Sequence, residues 1–429
     1  MCDIVLVNLP VSLWYKKELA EQNSMPPLGV LYIATVLNDN GVKTKVLDLS
    51  VELMDKKELD EYFTQNAPKI VGISTYNESW EAQKVFCQYI KEILPDVKIV
   101  AGGAFATFYY DECLNKSLTD FVLQGEGEIS FLKLSRYLLY SEGYLEEVDG
   151  LVRKKEGEIV INERKERINN LDSLPFPNRN LVNLSKYTIP FTINTARGCP
   201  GDCIFCSSRA FWGHRVYMRS AENIYREILH IYEEYKSNQF CIADDTFTVS
   251  KKRALEVCHL IKNSHINFMW GCESRADVID ELLIKELYEA GCRKIQFGME
   301  SADNDILKKL KKHVTVEQIE NAISLAYKYG MHITVSYIIG HAFDTVETIE
   351  RTLDFAKYIK EKYGVYLAVS VNTPFKGTEQ YEKRTQYGIE IHTDDLNKYH
   401  LSNPIISTKQ LSINQIRYYF QKAIKIMKG

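Results

Sequence analysis

The sequence predicts two successive α/β units, a doubly wound, Rossmann-like parallel sheet followed by an open (β/α)6 barrel. Three observations carry this. Short apolar runs alternate with helical patterns through two long stretches of the chain. The alternation lapses between residues 140 and 190, where a hairpin pattern and a proline-rich connector stand instead. At 429 residues the chain is long enough for two or three domains.

In residues 1–140 the strand candidates are Ile4–Asn8, Thr44–Asp48, Ile70–Ser74, Val97–Ala101 and Asp120–Leu123, with helical patterns such as Leu28–Asn38 and Ser79–Leu94 between them. Such alternation implies a parallel sheet covered on both faces, whose ligands bind beyond the carboxyl ends of the strands. The loops there carry Pro26-Pro27-Leu28-Gly29, Ser74-Thr75-Tyr76-Asn77, Gly102-Gly103-Ala104 and Gly125-Glu126-Gly127-Glu128. Glycine lets backbone approach a large ligand, although each loop taken singly reads equally well as an ordinary turn. No G-x-G-x-x-G follows the first strand, which speaks against a nicotinamide or flavin site. Residues 141–190 read as a linker, with a hairpin turning at Gly157 and then the extended Leu171-Asp172-Ser173-Leu174-Pro175-Phe176-Pro177.

In residues 191–389 the strand candidates are Phe191–Thr195, Phe240–Ala243, Phe268–Cys272, Lys294–Phe297, His332–Ile338 and Val365–Val371. Six units are two short of a closed eightfold barrel. Ser220 is placed to cap one helix, and Thr315 with Gln318 forms a capping-box pattern before another that Gly330 ends. Residues 390–429 read as loop and then a closing helix over Ser412–Met427, with Ile416, Tyr419, Phe420, Ile424 and Met427 at helical spacing.

Chemistry concentrates in Arg197-Gly198-Cys199-Pro200-Gly201-Asp202-Cys203-Ile204-Phe205-Cys206. Gly198, Pro200 and Gly201 break regular structure, so three thiols at C-x3-C-x2-C sit on a loop that can aim them at one centre. Iron–sulfur cubanes are usually held by four cysteine thiolates, and three would leave one iron open for a reactive ligand. A zinc ion completed by His214 at C-x7-H is the competing reading, although that spacing is not a usual zinc pattern. The other seven cysteines are scattered through apolar segments like small core residues, which fits a reducing compartment.

Polar groups recur at the ends of the barrel strands, where chemistry belongs in this architecture. Asp244 and Asp245 follow the second strand, and one of them could simply cap the next helix. Glu273, Ser274 and Arg275 end the third; Arg275 could grip a carboxylate bidentately or make an ordinary ion pair. Glu300 and Ser301 end the fourth, Gly340 and a rim-type His341 the fifth, and Asn372 the sixth.

Cys199, Cys203 and Cys206, with Phe205 before the last, resemble the C-x3-C-x-aromatic-C signature of radical S-adenosylmethionine enzymes. The resemblance implies a [4Fe–4S] cluster whose open iron chelates S-adenosylmethionine, with Phe205 near the adenine. It further implies S-adenosylmethionine contacts from Asp244, Asp245, Arg275, Glu300, Ser301, Gly340 and Asn372, through D-D-x-F at 244–247, G-x-E-S at 298–301 and P-x-x-G-T at 374–378. The first unit resembles the cobalamin-binding domain that precedes many such enzymes, through P-P-L-G, G-G-x-x-A-T at 102–107 and G-E-G-E. That implies cobalamin held by Pro27, Leu28, Gly29, Ser74, Thr75, Tyr76, Asn77, Gly102, Gly103, Gly125 and Glu126. Ala104 and Phe105 depart from the family's proline and histidine, Ala342, Phe343 and Asp344 from its proline, glycine and glutamate, and no D-x-H-x-x-G supplies a cobalt ligand.

The activity implied is methylation of an unactivated carbon through methylcobalamin, with radical oxidation, ring contraction or rearrangement as the alternative and a non-enzymatic cluster or zinc sensor as a remote one. The implied partners are a small-molecule, lipid or peptide substrate and an external electron donor such as flavodoxin or ferredoxin. A formal charge of -4 with interspersed signs gives no reason to expect nucleic acid. No apolar run reaches the roughly 18 residues of a membrane span. The first residues carry no basic, signal-like region, so a cytoplasmic location is expected.

Overall fold

The computed structural model describes residues 2–13, 25–165 and 167–429. The chain forms two compact units, Met1–Thr192 and Ile193–Gly429.

The first unit is built on seven strands: β1 (Ile4–Asn8), β2 (Thr44–Asp48), β3 (Ile70–Ser74), β4 (Lys98–Gly102), β5 (Phe121–Leu123), β6 (Leu151–Lys155) and β7 (Glu158–Ile161). Their order is β2-β1-β3-β4-β5-β6-β7. The first five are parallel, in a register that sets Ile4 beside Thr44 and Ile70, and Ile70 beside Lys98. Side chains alternate as a strand requires: Val5, Val7, Val71 and Ile73 pack with Phe63 and Phe86 on one face, Ile4, Leu6 and Ile70 with Leu37 and Leu134 on the other. Gly72 is needed within β3, because a Cβ there would lie 2.5 Å from the Leu6 side chain and 2.9 Å from the Phe131 ring. The strand order reverses between β1 and β3, and the crevice at such a reversal is where doubly wound sheets take ligands.

The hairpin within residues 141–190 does not hang free. β6 pairs antiparallel with β5, and β7 with β6, so both strands extend the first sheet. β5 is only three residues long, and β6 covers what would otherwise be a bare edge. The connector beyond it folds back as well: Asn178 N donates to Thr35 Oγ1 (2.8 Å), Tyr187 OH to Asp48 Oδ2 (2.8 Å) and buried Arg179 to the Thr192 carbonyl (2.6 Å). These bonds are why the unit extends to Thr192 and not only to about 140.

The second unit contains β8 (Thr192–Ile193), β9 (Ala196–Arg197), β10 (Tyr217–Met218), β11 (Gln239–Ile242), β12 (Met269–Ser274), β13 (Cys292–Glu300), β14 (His332–Ile339) and β15 (Tyr366–Val371). Six of them form one sheet in the order β15-β14-β13-β12-β11-β8, with β11 to β15 parallel. β15 and β8 are its two edges, so the barrel is open. The strand expected over Phe191–Thr195 is split in two. Its chain turns at Asn194-Thr195 around Asp244, whose carboxylate accepts from Thr195 N (2.6 Å) and Ala196 N (3.1 Å). Ser220 caps the helix Ala221–Tyr235, and Thr315 with Gln318 makes a capping box on Val316–Lys328. The C-terminal helix Ile413–Lys428 lies against β14 and β15. Among the described residues no helix is long and apolar enough to cross a membrane.

Gly291 adopts φ +91°, and a Cβ would overlap the Phe268 carbonyl oxygen; Gly330 has φ +75° with open space around it. Gly330→Ala should cost about 1–2 kcal/mol from left-handed strain alone, and Gly291→Ala distinctly more. Urea unfolding of the two variants, with unchanged m, measures the difference.

Candidate active site

The cysteine loop is pinned at its centre. Ile204 is fully buried against Ile306 and Leu310; its N–H donates to the Leu310 carbonyl (3.1 Å) and its carbonyl accepts from Gln380 N (2.9 Å). Cys199, Cys203 and Cys206 stand around this anchor, each partly exposed. A Cβ on Gly201 would come within 3.5 Å of Cys199 Sγ, 3.9 Å of Cys203 Sγ and 3.1 Å of Arg275 Nη1, so both sulfurs face one small space that glycine keeps open. Burial raises the Cys203 thiol and pushes Cys206 up to about 12. Metal binding must therefore displace protons here. At Cys203 the charges of Lys312 and Arg275 work in the opposite direction, favouring thiolate.

His214 does not complete a zinc site: its Nε2 lies 3.3 Å from the Arg209 guanidinium. Among the described residues no three histidine, cysteine, aspartate or glutamate groups converge closely enough on a single ion.

Beside the loop lies a buried ion pair, Lys312 Nζ to Glu300 Oε1 at 2.8 Å, the two side chains about one-tenth exposed. Glu300 reaches it through a strained backbone, φ +64°, at a register shift in β13 after Gly298. Bulges re-aim side chains next to active sites, and non-glycine residues in this region of backbone space cost energy that surrounding structure must supply. Burial works against the Lys312 charge, but Glu300 and Cys203 outweigh it and raise its pKa.

Several residues expected at the S-adenosylmethionine site have other partners. Arg275 gives its fork to Asp277 (3.0 and 2.8 Å) and donates to the Lys312 carbonyl (2.9 Å), leaving Nη1 against the cysteine loop. It is a strut, and the ordinary ion pair is what forms. Asp244 is buried in the turn before the cysteines, backed by Arg253 at 3.8 Å. Ser301 sits 3.4 Å from Thr352 on the outer helix Val346–Tyr363. Gly340 (φ +85°) has its side-chain space filled by Ile416 of the C-terminal helix, so that side is closed to adenine. Asp245 accepts from Ser208 Oγ (2.7 Å) in an exposed position. Asn372 fits the expectation better, because its buried Nδ2 has no partner. His341, expected on the rim, is fully buried with its ring 5.3 Å from that of Phe205.

Sequence reasoning missed Lys312, and it gave Glu273 no role. Glu273 reaches solvent at the barrel mouth yet is enclosed by protein atoms; burial, then the charges of Asp245 and Glu300, raise its pKa to about 7. Lys312 lies in Lys308-Lys309-Leu310-Lys311-Lys312-His313, and nothing in that run marks which lysine turns inward.

On the first unit, the loops after β3 and β4 form a knitted cradle. Thr75 N donates to the Gly102 carbonyl (3.3 Å) and Phe105 N to the Thr75 carbonyl (3.2 Å). Gly103 (φ +87°) has no room for a side chain, Ser74 Oγ lying 3.1 Å from where a Cβ would be. Thr75 Oγ1 and Asn77 Nδ2 are buried without a partner, which fits a large polar ligand seated over this loop, and Tyr76 stands exposed between them. Pro27 precedes the helix Leu28–Asp39, whose first turn has no side-chain cap, with open space beside Gly29. Phe105, at the family's histidine position, is instead stacked between Trp80 and Tyr109. Gly125 and Glu126 serve the connector: Arg164 lies over Gly125, and Glu126 Oε2 accepts from Ile168 N (3.0 Å).

A three-thiolate loop on an open parallel barrel, joined to a doubly wound unit with a glycine cradle, defines a class of enzyme. The Radical SAM superfamily model matches residues 193–356 and the B12 binding domain model residues 21–135. The chain belongs to the radical S-adenosylmethionine enzymes that carry a cobalamin-binding domain, and with that membership go a [4Fe–4S] cluster, S-adenosylmethionine and cobalamin. It is 31% identical over 404 residues to an uncharacterized methyltransferase of Pyrococcus horikoshii, covering 93% of this chain and 86% of that one. It is 26% identical over 414 residues to the cytidylyl-2-hydroxyethylphosphonate methyltransferase of Streptomyces wedmorensis, covering 82% and 76%. Its fold matches the radical S-adenosylmethionine methyltransferase TsrM of Kitasatospora setae, solved with cobalamin and a [4Fe–4S] cluster, with TM-score 0.79 at 18% identity over 99% of this chain and 91% of that one.

Lys312→Met leaves Glu300 buried and unpaired and should cost about 3 kcal/mol, whereas Lys312→Met with Glu300→Gln should recover most of that loss. A double-mutant cycle in urea reads the coupling. Glu273 holds its proton more tightly folded than unfolded, so its contribution to stability falls as pH rises from about 4.5 to about 7. Glu273→Gln should raise the melting temperature relative to the parent at pH 8 and not at pH 4.5.

Proposed function

We propose that this enzyme methylates an unactivated carbon of a small-molecule, lipid or peptide substrate. The observation that carries the reading is the coexistence, in one chain, of three thiols pinned around Ile204 and a cradle with unsatisfied buried polar atoms at Thr75 and Asn77. The methyltransferases named above support methyl transfer over other radical outcomes. When bound, the cluster would supply one-electron cleavage of S-adenosylmethionine to a 5′-deoxyadenosyl radical, and cobalamin would carry the methyl group.

The chain's own residues place and shield these groups. Cys199, Cys203 and Cys206 hold the cluster, with Arg275 bracing their loop. Glu300 and Lys312 present an anion and a cation side by side, complementary to the ammonium and carboxylate of an amino-acid ligand such as the methionyl end of S-adenosylmethionine. Asn372 offers a free amide donor. Glu273, titrating near neutrality at the mouth, can accept or hold a substrate proton. Gly102, Gly103, Thr75 and Asn77 seat cobalamin on the first unit.

Protein prepared anaerobically with cobalamin should contain about four irons and release 5′-deoxyadenosine together with S-adenosylhomocysteine when substrate is supplied. Cys203→Ala should lose both the iron and the 5′-deoxyadenosine, read by iron assay and chromatography. A parent protein that releases 5′-deoxyadenosine with its substrate but never S-adenosylhomocysteine would sink methyl transfer and leave radical cleavage standing.

A further inference from the structure

The parallel strands β11 to β15 have two unlike faces. Residues turned toward the helices, such as Ile295, Phe297, Val335 and Ile339, are apolar and fully buried. Those of the inner face are mostly small or polar, and nearly all are partly or fully exposed. The register sets them in rows. Cys241, Gly271, Lys294 and His332 lie side by side across β11 to β14, and Glu273, Gln296 and Thr334 form the next row toward the cysteine loop. A closed eightfold barrel fills this space with bulky branched side chains; here small and polar residues leave it to a guest. Of the lysines and arginines in these five strands, Arg293 turns to Tyr288 of an outer helix and Lys294 faces the hollow. The Lys294 ammonium makes no ion pair among the described residues. Its stem lies over Gly271, where a Cβ would come within 3.1 Å of Lys294 Cβ and 3.7 Å of Cγ. Its charge reaches the Cys241 thiol beyond, working against the burial that raises Cys241 to about 11. Asp245, Glu273 and Glu300 all stand nearer the cysteine loop.

We infer that this hollow takes an elongated, water-soluble small molecule whose anionic group, a carboxylate or phosphate, is gripped by Lys294, with its reacting carbon at the cysteine-loop end. The inference rests on the methyl-transfer reading above and narrows its substrate. A lysine ammonium is a point charge that suits either anion, and His332 beside it in register can add a ring N–H. Gln296 and Thr334, one row up, offer an amide and a hydroxyl to polar atoms in the middle of the guest. A lipid chain laid here would leave all of these groups desolvated and unpaired, which is costly. The field along the face also fixes direction: the acids near the cysteine loop repel the anion and Lys294 attracts it. From Lys294 to Glu300 the strand spans about 20 Å, which sets the length of guest that reaches both ends.

The first readout needs no turnover. Alkylation of Cys241 by iodoacetamide in the full chain is followed by peptide mass spectrometry, with pyrophosphate or glutarate as the probe anion. Either anion, seated on the neighbouring Lys294, should slow the reaction severalfold in the parent and in Lys294→Arg, and not in Lys294→Gln. Slowing by pyrophosphate alone assigns a phosphate, by glutarate alone a carboxylate, and by both a grip that takes either. No slowing by either anion, or equal slowing in Lys294→Gln, overturns the site. The second readout supplies the holoenzyme with two extracts of the source cells, aqueous metabolites retained on an anion exchanger and lipids extracted into solvent. The anionic metabolites should support S-adenosylhomocysteine formation. Lys294→Gln should raise the apparent KM for them about tenfold with kcat little changed, and Lys294→Arg should recover most of that loss. Turnover on the lipid extract alone overturns the inference and leaves methylation standing. Release of 5′-deoxyadenosine without S-adenosylhomocysteine from every fraction defeats methylation instead, and Cys241 alkylation then still decides the anion site, so the two failures are distinct.

Discussion

The anchoring of Ile204 is the constraint on which the site depends. A loop containing two glycines and a proline has no regular hydrogen bonding to hold its cysteines, and ordering each residue costs about 1–2 kcal/mol of backbone entropy. Burying one isoleucine side chain returns about 1.5–3 kcal/mol, and its two backbone bonds, to Leu310 and Gln380, fix the loop from both sides. The approach to the loop is fixed separately by Asp244, which gathers Thr195 and Ala196, and by Arg253, which donates to the Thr195 carbonyl at 2.8 Å. Three thiols are thereby carried on one loop anchored at its centre and at its approach.

Charge around this loop is arranged in layers. Lys312 and Arg275 are drawn inward against the sulfurs, and both are held there by acids, Glu300 and Asp277. An anionic cluster with thiolate ligands would otherwise meet only the acidic mouth. Buried ion pairs rarely add net stability, because desolvation offsets their attraction. Here the pair is made with Glu300 in a strained conformation, so its net contribution to folding is smaller still.

The first unit uses its glycines differently. Gly72 makes room for packing by Phe131 and Leu6 within the sheet, whereas Gly103 makes room for the backbone of the loop above it. Gly125 and Glu126, similar to the eye, serve neither purpose: they receive the returning connector. The same residue type in the same kind of loop therefore does structural or ligand-facing work according to what the rest of the chain brings over it.

The sequence by itself determined the alternation of elements: short apolar runs marked the parallel strands of both sheets, and stripes at helical spacing marked several of the helices between them, because burial on one face or two leaves that imprint directly in residue order. It also determined the cluster loop, since three thiols within eight residues can converge through local geometry alone. Only the tertiary structure decided which strand-end polar groups remain available. Asp244, Arg275 and Ser301 are committed to Thr195, Asp277 and Thr352, while Lys312 enters the site from a run that reads as a solvated surface. The commitments of Asp244 and Ser301 are made between residues about fifty positions apart, through hydrogen bonds that need two directions to agree, and even the two-residue step from Arg275 to Asp277 is only one of the pairings the local sequence allows.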